Sequence, residues 1–99
     1  MIIKGNLSLM FSDIKSLGNL KEIKGYCDLS ESNIESLGEL KQVNGDIYLQ
    51  GCKNLKSLGK LKEIKDDTII WLEGSEITEK YIMENKPWLR PNCDFGYDN

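Results

Sequence analysis

The sequence predicts an α/β solenoid. About four coils with leucines at regular spacing are expected to stack, with a short parallel sheet and a C-terminal helical cap. Three successive segments of about 20 residues share one pattern, which opens on an aliphatic residue, a polar residue and glycine. Each segment closes on the pattern Ser-Leu-Gly-x-Leu-Lys, at residues 16–21, 36–41 and 57–62. A period near 20 residues is typical of units that bury their apolar faces only against their neighbours.

The length of 99 residues and the continuous pattern predict a single domain, 1–99. The repeats occupy residues 3–22, 23–42, 43–63 and 64–77. The fourth repeat carries two extra residues around Asp66-Asp67 and then resumes the pattern. The remaining segment, 78–99, lacks the pattern and is assigned to the cap.

Short strands are predicted from pairs of apolar residues that flank one outward-facing residue. Such alternation places one face of a strand toward the core. The predicted strands lie near 6–9, 26–29, 46–49 and 69–72 and form one parallel sheet. The inward pairs are Leu7 and Leu9, Cys27 and Leu29, Ile47 and Leu49, and Ile70 and Leu72.

The Ser-Leu-Gly triplets predict tight turns that close each coil. A serine hydroxyl can cap a short helical turn, and glycine suits a backbone with positive φ. A phosphate-binding loop is disfavoured, because it requires a longer glycine-rich loop with a helix behind it.

The C-terminal segment predicts a helix that covers the last coil. Thr78 can cap a helix from Glu79 to about Lys86, and Pro87 stops it. Aromatic residues, including Tyr97, then crowd the tail. The N-terminus shows no matching cap, so an open edge is expected at Ile2, Ile3 and Asn6.

The third repeat resembles the leucine-rich repeat, whose signature is LxxLxLxxN/CxL. Leu40-Lys41-Gln42-Val43 runs into Ile47-Tyr48-Leu49-Gln50-Gly51-Cys52, and the likeness extends over about residues 3–77. The sequence departs from the signature by an extra residue after Val43 and by serines at the ladder positions 12, 32 and 75. The resemblance implies a stacked parallel-sheet fold and, commonly, binding of a protein partner.

Composition narrows the function classes. The 13 basic and 16 acidic residues give a net charge of −3, which does not predict a nucleic-acid partner. The chain contains no histidine, so histidine bases and histidine metal ligands are excluded. We therefore expect no enzymatic activity and no catalytic, cofactor-binding or metal-binding residues.

Localisation is predicted from the absence of a long apolar run and from cysteine usage. No segment is apolar for long enough to span a bilayer, so no membrane partner is expected. The three cysteines are widely spaced without a CxxC pair, which is typical of reduced thiols. The sequence thus predicts a cytoplasmic protein.

The binding surface is predicted on the outward face of the strands, where aromatic and acidic residues gather. Exposed aromatic residues are enriched at protein interfaces, and aspartates beside them would favour a basic partner surface. The candidate partner-binding residues are Tyr26, Asp28, Asp46, Tyr48, Ile69 and Trp71.

These observations predict a protein–protein interaction module that binds a protein partner through the strand face. One alternative is a small inhibitor of a larger host protein, encoded by a phage or mobile element. The other alternative is a self-associating structural module, such as a homodimer joined through the aromatic face or the open N-terminal edge.

Overall fold

The computed structural model describes residues 1–96, which form a compact α/β protein with two parallel sheets and a short C-terminal helix. Tyr97 and the rest of the predicted cap beyond Gly96 lie outside the described residues. In chain order the strands are β1 (Ile2–Ile3), β2 (Leu7–Ser8), β3 (Glu22–Ile23), β4 (Cys27–Asp28), β5 (Gln42–Val43), β6 (Ile47–Tyr48), β7 (Glu63–Ile64), β8 (Ile70–Trp71) and β9 (Cys93–Asp94).

Successive repeats pair in parallel, with each residue aligned to its equivalent one repeat later. One sheet has the order β1-β3-β5-β7, and the other has the order β2-β4-β6-β8-β9. Leu7 is aligned with Cys27, Cys27 with Ile47, and Ile47 with Ile70. Each repeat therefore forms one layer, and equivalent side chains lie above one another.

The prediction of one four-stranded sheet is wrong in two respects. The predicted strands near 6–9, 26–29, 46–49 and 69–72 are present as two-residue strands, but a second sheet precedes them in every repeat. Its inward residues are the aliphatic residues that open the repeats: Ile3, Ile23, Val43 and Ile64. The predicted cap also contributes β9, which adds a fifth strand beside β8.

The core is a column of aliphatic side chains that runs through the layers. In the second and third layers these side chains are fully inaccessible to solvent: Ile23, Cys27, Leu29, Ile34, Leu37, Leu40, Val43, Ile47, Leu49, Cys52, Leu55, Leu58 and Leu61. In the first layer, Leu7, Leu9 and Leu17 are only partly buried, whereas Leu20 is buried. Apolar burial is the main source of stability in such a stack.

The Ser-Leu-Gly triplets form the predicted tight turns, but the serine does not cap a helical turn. In each one the serine Oγ accepts a hydrogen bond from the glycine N–H two residues later, at 2.8–3.0 Å. Gly18, Gly38 and Gly59 have φ values of 58°, 62° and 58°. The serines themselves align across layers as isolated parallel bridges, so the turn is also stacked in register.

The C-terminal helix α1 (Glu79–Asn85) begins and ends close to its predicted bounds. The Thr78 hydroxyl accepts a hydrogen bond from the Tyr81 N–H, and Lys86 ends the helix before a 3₁₀ helix at Pro87–Asn92. Ile82 and Leu89 are fully buried against the stack. This segment therefore covers the end of the apolar core that the fourth repeat would otherwise expose.

Side-chain hydrogen bonds attach this segment to the backbone of the layers beneath it. The Leu58 N–H donates to the Tyr81 hydroxyl at 3.0 Å, and the Trp88 indole donates to the Lys62 carbonyl at 3.0 Å. The Asn92 amide donates to the carbonyls of Asp66 and Thr68. The two extra residues of the fourth repeat thus lie in a loop whose carbonyls are used by the C-terminal segment.

We predict that Leu37→Ala and Leu49→Ala each lower the free energy of unfolding by about 2–5 kcal/mol, because each leaves a cavity between fully packed layers. Leu17→Ala is the matched control, since Leu17 occupies the position of Leu37 but is only partly buried. Urea melts should show a clearly smaller loss for Leu17→Ala. Equal losses at positions 17 and 37 would contradict the observed difference in packing.

We predict that Gly59→Ala destabilises the protein more than Gly18→Ala does. Both glycines have φ of 58°, so alanine at either position costs about 1–2 kcal/mol of left-handed strain. A Cβ at Gly59 would also lie 2.6 Å from the Gly38 carbonyl oxygen, whereas a Cβ at Gly18 meets nothing within 4 Å. We expect this overpacking to add about 1–3 kcal/mol in urea melts.

We predict that alkaline pH destabilises the fold through Cys27. Burial, aided by the charge of Asp28, raises the pKa of the Cys27 thiol to about 12 from its ordinary value of about 8.5. Because the folded pKa is raised, this contribution to stability is complete below pH ~8.5 and is lost as pH rises from there toward 12. Urea melts of Cys27→Val should show a smaller loss above pH ~8.5 than the wild type, and an equal loss would refute the assignment.

Candidate functional site

The predicted surface residues lie together on the outer face of the second sheet. Asp28, Tyr48 and Trp71 occupy one column, because Asp28 is aligned with Tyr48 and Tyr48 with Trp71. Tyr26 and Ile69 lie in the neighbouring column and are 39% and 37% exposed. We call the six residues Tyr26, Asp28, Asp46, Tyr48, Ile69 and Trp71 the strand face.

Three aromatic rings form a continuous series across three layers of this face. The rings of Tyr48 and Trp71 are stacked, with centroids 6.4 Å apart and planes inclined by 4°. The ring of Tyr26 meets that of Tyr48 edge-on, at 6.3 Å and 85°. Both arrangements are favourable for aromatic pairs, so the rings form a fixed surface rather than three independent side chains.

Tyr48 and Trp71 are half-buried and not freely exposed as the sequence predicted. Their outward direction follows from strand alternation, but each ring shields the other across the layer spacing. The indole N–H of Trp71 is buried and has no hydrogen-bond acceptor among the described residues. An unsatisfied buried donor is costly, which makes this part of the face less favourable for the isolated chain than its packing alone suggests.

The two aspartates of the strand face accept hydrogen bonds but form no ion pairs with described residues. One carboxylate oxygen of Asp28 accepts hydrogen bonds from the Ser30 N–H and hydroxyl at 3.1 and 2.6 Å. One oxygen of Asp46 accepts from the Ile69 N–H at 3.0 Å. Neither aspartate forms an ion pair with a described residue. The negative charge on both sides of the rings is therefore available to a cationic group.

Asp94 completes this acidic border, and the sequence analysis missed it. Strand β9 aligns Asp94 with Trp71, so the aromatic pair lies between Asp28 and Asp94 in one column. One Asp94 oxygen accepts from the Gly96 N–H at 2.8 Å, and the residue is exposed. The repeat pattern ends before this segment, so no periodic signal identified it.

A groove of about 520 Å³ adjoins the strand face at its C-terminal side. Its lining includes Ile69 of the strand face, and Asp94, Arg90 and Glu79 of the C-terminal segment. Arg90 and Glu79 form an ion pair at 2.7 Å. The groove is open and largely polar, so it suits a side chain of a bound protein better than an enclosed small molecule.

The described residues contain neither a group of side chains that could hold a metal ion nor a helix that could span a membrane. Within residues 1–96, no three cysteine, aspartate or glutamate side chains are grouped closely enough to hold a metal ion. Among these residues, no helix is long and apolar enough to cross a membrane. The free thiols Cys27, Cys52 and Cys93 have pKa values raised by burial, which disfavours the reactive thiolate.

The strand face is thus the most distinctive surface that the described residues present, with stacked rings at its centre and carboxylates around them. No protein-family model, curated protein or solved structure matches this chain.

Proposed function

We propose that this chain is a leucine-rich-repeat-like solenoid that binds a protein partner through the strand face, without catalysis. Support for the solenoid comes from the one-repeat register, in which strands pair only with strands of adjacent layers in the described part of the chain up to β8. Repeat stacks of this kind present extended surfaces for partners. The function itself is argued from the chemistry of the face.

The observation that carries this proposal is the stacked pair of Tyr48 and Trp71 between Asp28 and Asp94. Aromatic side chains held in fixed orientation supply a large contact area at little cost in conformational entropy. They tend to dominate binding energy when a partner covers them. The unpaired carboxylates around them favour lysine and arginine on the partner and speed its capture. The expected partner is a protein with an apolar patch bordered by basic residues.

We predict that the double change Tyr48→Ala with Trp71→Ala abolishes partner binding, because each ring is expected to contribute roughly 2 kcal/mol or more to the interface. Loss of the stacking interaction should lower the free energy of unfolding by about 0.5–1.5 kcal/mol, in addition to the lost burial of the two half-exposed rings. That cost is smaller than the cost expected for a core leucine. Circular dichroism and urea melts measure folding, and calorimetric titration measures binding to a partner captured by the wild type.

Trp88→Ala is the matched control, because Trp88 is an exposed tryptophan on the C-terminal 3₁₀ helix. A partner captured by the wild type and by Trp88→Ala, but not by the double variant, supports the strand face. A folded double variant with full affinity would move the site elsewhere. A double variant that melts like Leu49→Ala would show that the rings belong to the core.

We predict that Asp28→Asn, Asp46→Asn and Asp94→Asn together slow partner association and reduce its salt dependence, while the fold is unchanged. Asparagine keeps the side-chain oxygen that each position uses as an acceptor. Asn6 already accepts from the Tyr26 N–H at 2.9 Å, as Asp46 accepts from the Ile69 N–H. Loss of electrostatic steering should lower the association rate by about tenfold at low salt.

The control for this triple variant removes three exposed carboxylates away from the face, through Asp67→Asn, Glu76→Gln and Glu84→Gln. It changes net charge by the same amount. Stopped-flow or surface-based kinetics over a range of salt concentrations should separate the two variants. Equal rates for both would show that net charge, and not the border of the face, governs association.

A further inference from the structure

The outer face of the second sheet carries carboxylates but no lysine or arginine. The one-repeat register divides this face into three columns, which contain Asp46, Tyr48 and Gln50 in the third layer. The chain has 13 basic residues, yet none of them lies in these columns in the described part of the chain. The charged residues of the columns are all acidic: Asp28, Asp46, Glu73 and Asp94. Such a border attracts a cation and repels an anion.

The basic residues around this face do not neutralise it. The lysines at the corner between the two sheets lie outside the columns: Lys4, Lys24 and Lys65. The Lys24 Nζ lies 2.8 Å from the Glu22 carboxylate. Arg90 lines the groove beside Asp94, and its Nη2 lies 2.7 Å from the Glu79 carboxylate. No ion pair joins a described residue to any of the four carboxylates of the columns.

The Trp71 ring is the end of the aromatic series, and one of its two sides has no ring against it. Tyr48 lies between Tyr26 and Trp71, so both sides of the Tyr48 ring meet another ring. Trp71 is stacked on Tyr48 on one side only, and its other side is directed toward the β9 layer. The next residue of that column is Asp94, whose side chain is too short to cover an indole ring.

The Asp94 carboxylate is fixed beside this free side of the ring. One of its oxygens accepts a hydrogen bond from the Gly96 N–H at 2.8 Å, which holds the carboxylate along its own strand. The other oxygen accepts no hydrogen bond from a described residue. Asp94 is exposed, so this oxygen is free to accept from a bound molecule.

There is room for a flat group between the ring and the groove. The groove of about 520 Å³ is lined by Ile69, which lies two residues before Trp71, and by Asp94. Adjacent layers lie about 4.8 Å apart, and a flat group packs on a ring at about 3.5–4.0 Å. A flat cation at the level of the β9 layer would therefore contact the Trp71 ring and the Asp94 carboxylate at the same time.

We propose that an arginine of the protein partner stacks its guanidinium on the free side of Trp71 and pairs it with the Asp94 carboxylate. This assignment rests on the proposed function, since it presumes a protein partner at the strand face. It adds the side chain by which that partner is recognised and the end of the aromatic series at which recognition occurs.

Arginine matches this arrangement better than lysine does. A guanidinium is planar and weakly hydrated, so it can stack on an indole while its N–H groups point sideways to a carboxylate. Its fork of donors also suits a carboxylate oxygen that is held in one place. A lysine ammonium is a strongly hydrated point charge, which can satisfy the acidic border but cannot stack.

Fluorescence titration of the Trp88→Phe variant tests this proposal, because Trp71 is then the only tryptophan of the two in the chain. The probes are short acetylated and amidated peptides in which serine alternates with arginine, lysine or citrulline. We expect the arginine peptide to give a saturable change in Trp71 fluorescence. The lysine peptide should bind about threefold more weakly or worse, and citrulline, which keeps the shape but lacks the charge, about tenfold more weakly or worse.

Asp94→Asn should weaken binding of the arginine peptide about fivefold and remove most of the preference over lysine, since an exposed ion pair is lost. Asparagine keeps the acceptor for the Gly96 N–H. Asp28→Asn is the matched control, because Asp28 lies in the same column but about 10 Å from the Trp71 layer, where salt screens its charge. We expect it to change binding by less than about twofold. Asp94→Ser replaces Asp94→Asn if circular dichroism shows that the latter does not fold.

The outcomes separate this proposal from the proposed function. An arginine peptide that does not saturate, or that binds no better than the lysine or citrulline peptide, overturns the stacked arginine. Equal losses for Asp28→Asn and Asp94→Asn also overturn it, because the charge of the whole face would then account for binding. A partner that is lost in Tyr48→Ala, Trp71→Ala but binds Asp94→Asn unchanged overturns the arginine and keeps the proposed function. A partner that binds that double variant at full affinity, beside an intact arginine preference of the peptides, refutes the proposed function alone.

Discussion

The one-repeat register of the backbone hydrogen bonds is the constraint on which the rest of the structure depends. Because each layer pairs with the next in parallel, the side chain of each strand residue lies over its equivalent in the neighbouring layer. A substitution at one strand position therefore affects the packing against the equivalent residues of the layers on both sides. The Gly59 turn shows the consequence, since the Gly38 carbonyl occupies the space that any Cβ at Gly59 would need. Sequence periodicity is thus a direct result of packing in this chain.

The same register produces the strand face. Tyr48 and Trp71 are stacked with nearly parallel planes because they occupy one column of adjacent parallel strands, about 4.8 Å apart along the hydrogen bonds. Asp46 shows how structure and charge are combined on this face. One of its oxygens satisfies the Ile69 N–H at the start of the irregular fourth layer, while the carboxylate keeps its charge. A surface of this kind needs no loop to position it.

The repeat pattern predicted the core, and the capping signals predicted the C-terminal helix. Neither signal predicted the second sheet or how deeply the rings of the strand face are buried. The strands near Leu7 and Ile47 and the cap at Thr78 followed from local pattern. The second sheet was missed because each of its strands has one inward aliphatic residue, followed by a polar residue and usually a glycine, and so lacks the alternating apolar pair that identified the other strands. Alternation gave the direction of Tyr48 and Trp71 correctly, yet it carried no information on how far neighbouring rings would shield them. Strand β9 follows no repeat, and its pairing with β8 is decided by tertiary packing alone.

The two ends of the stack differ in whether other described residues cover their apolar side chains. A terminal layer has a neighbour on one side only, so its apolar residues and strand edges are left uncovered. At the C-terminal end, the sequence abandons the repeat and supplies Ile82, Leu89 and β9 as a cover. At the N-terminal end, the repeat is kept and the rim becomes more apolar at Ile2, Met10 and Phe11. The side chains of this rim are therefore different from those that form the strand face.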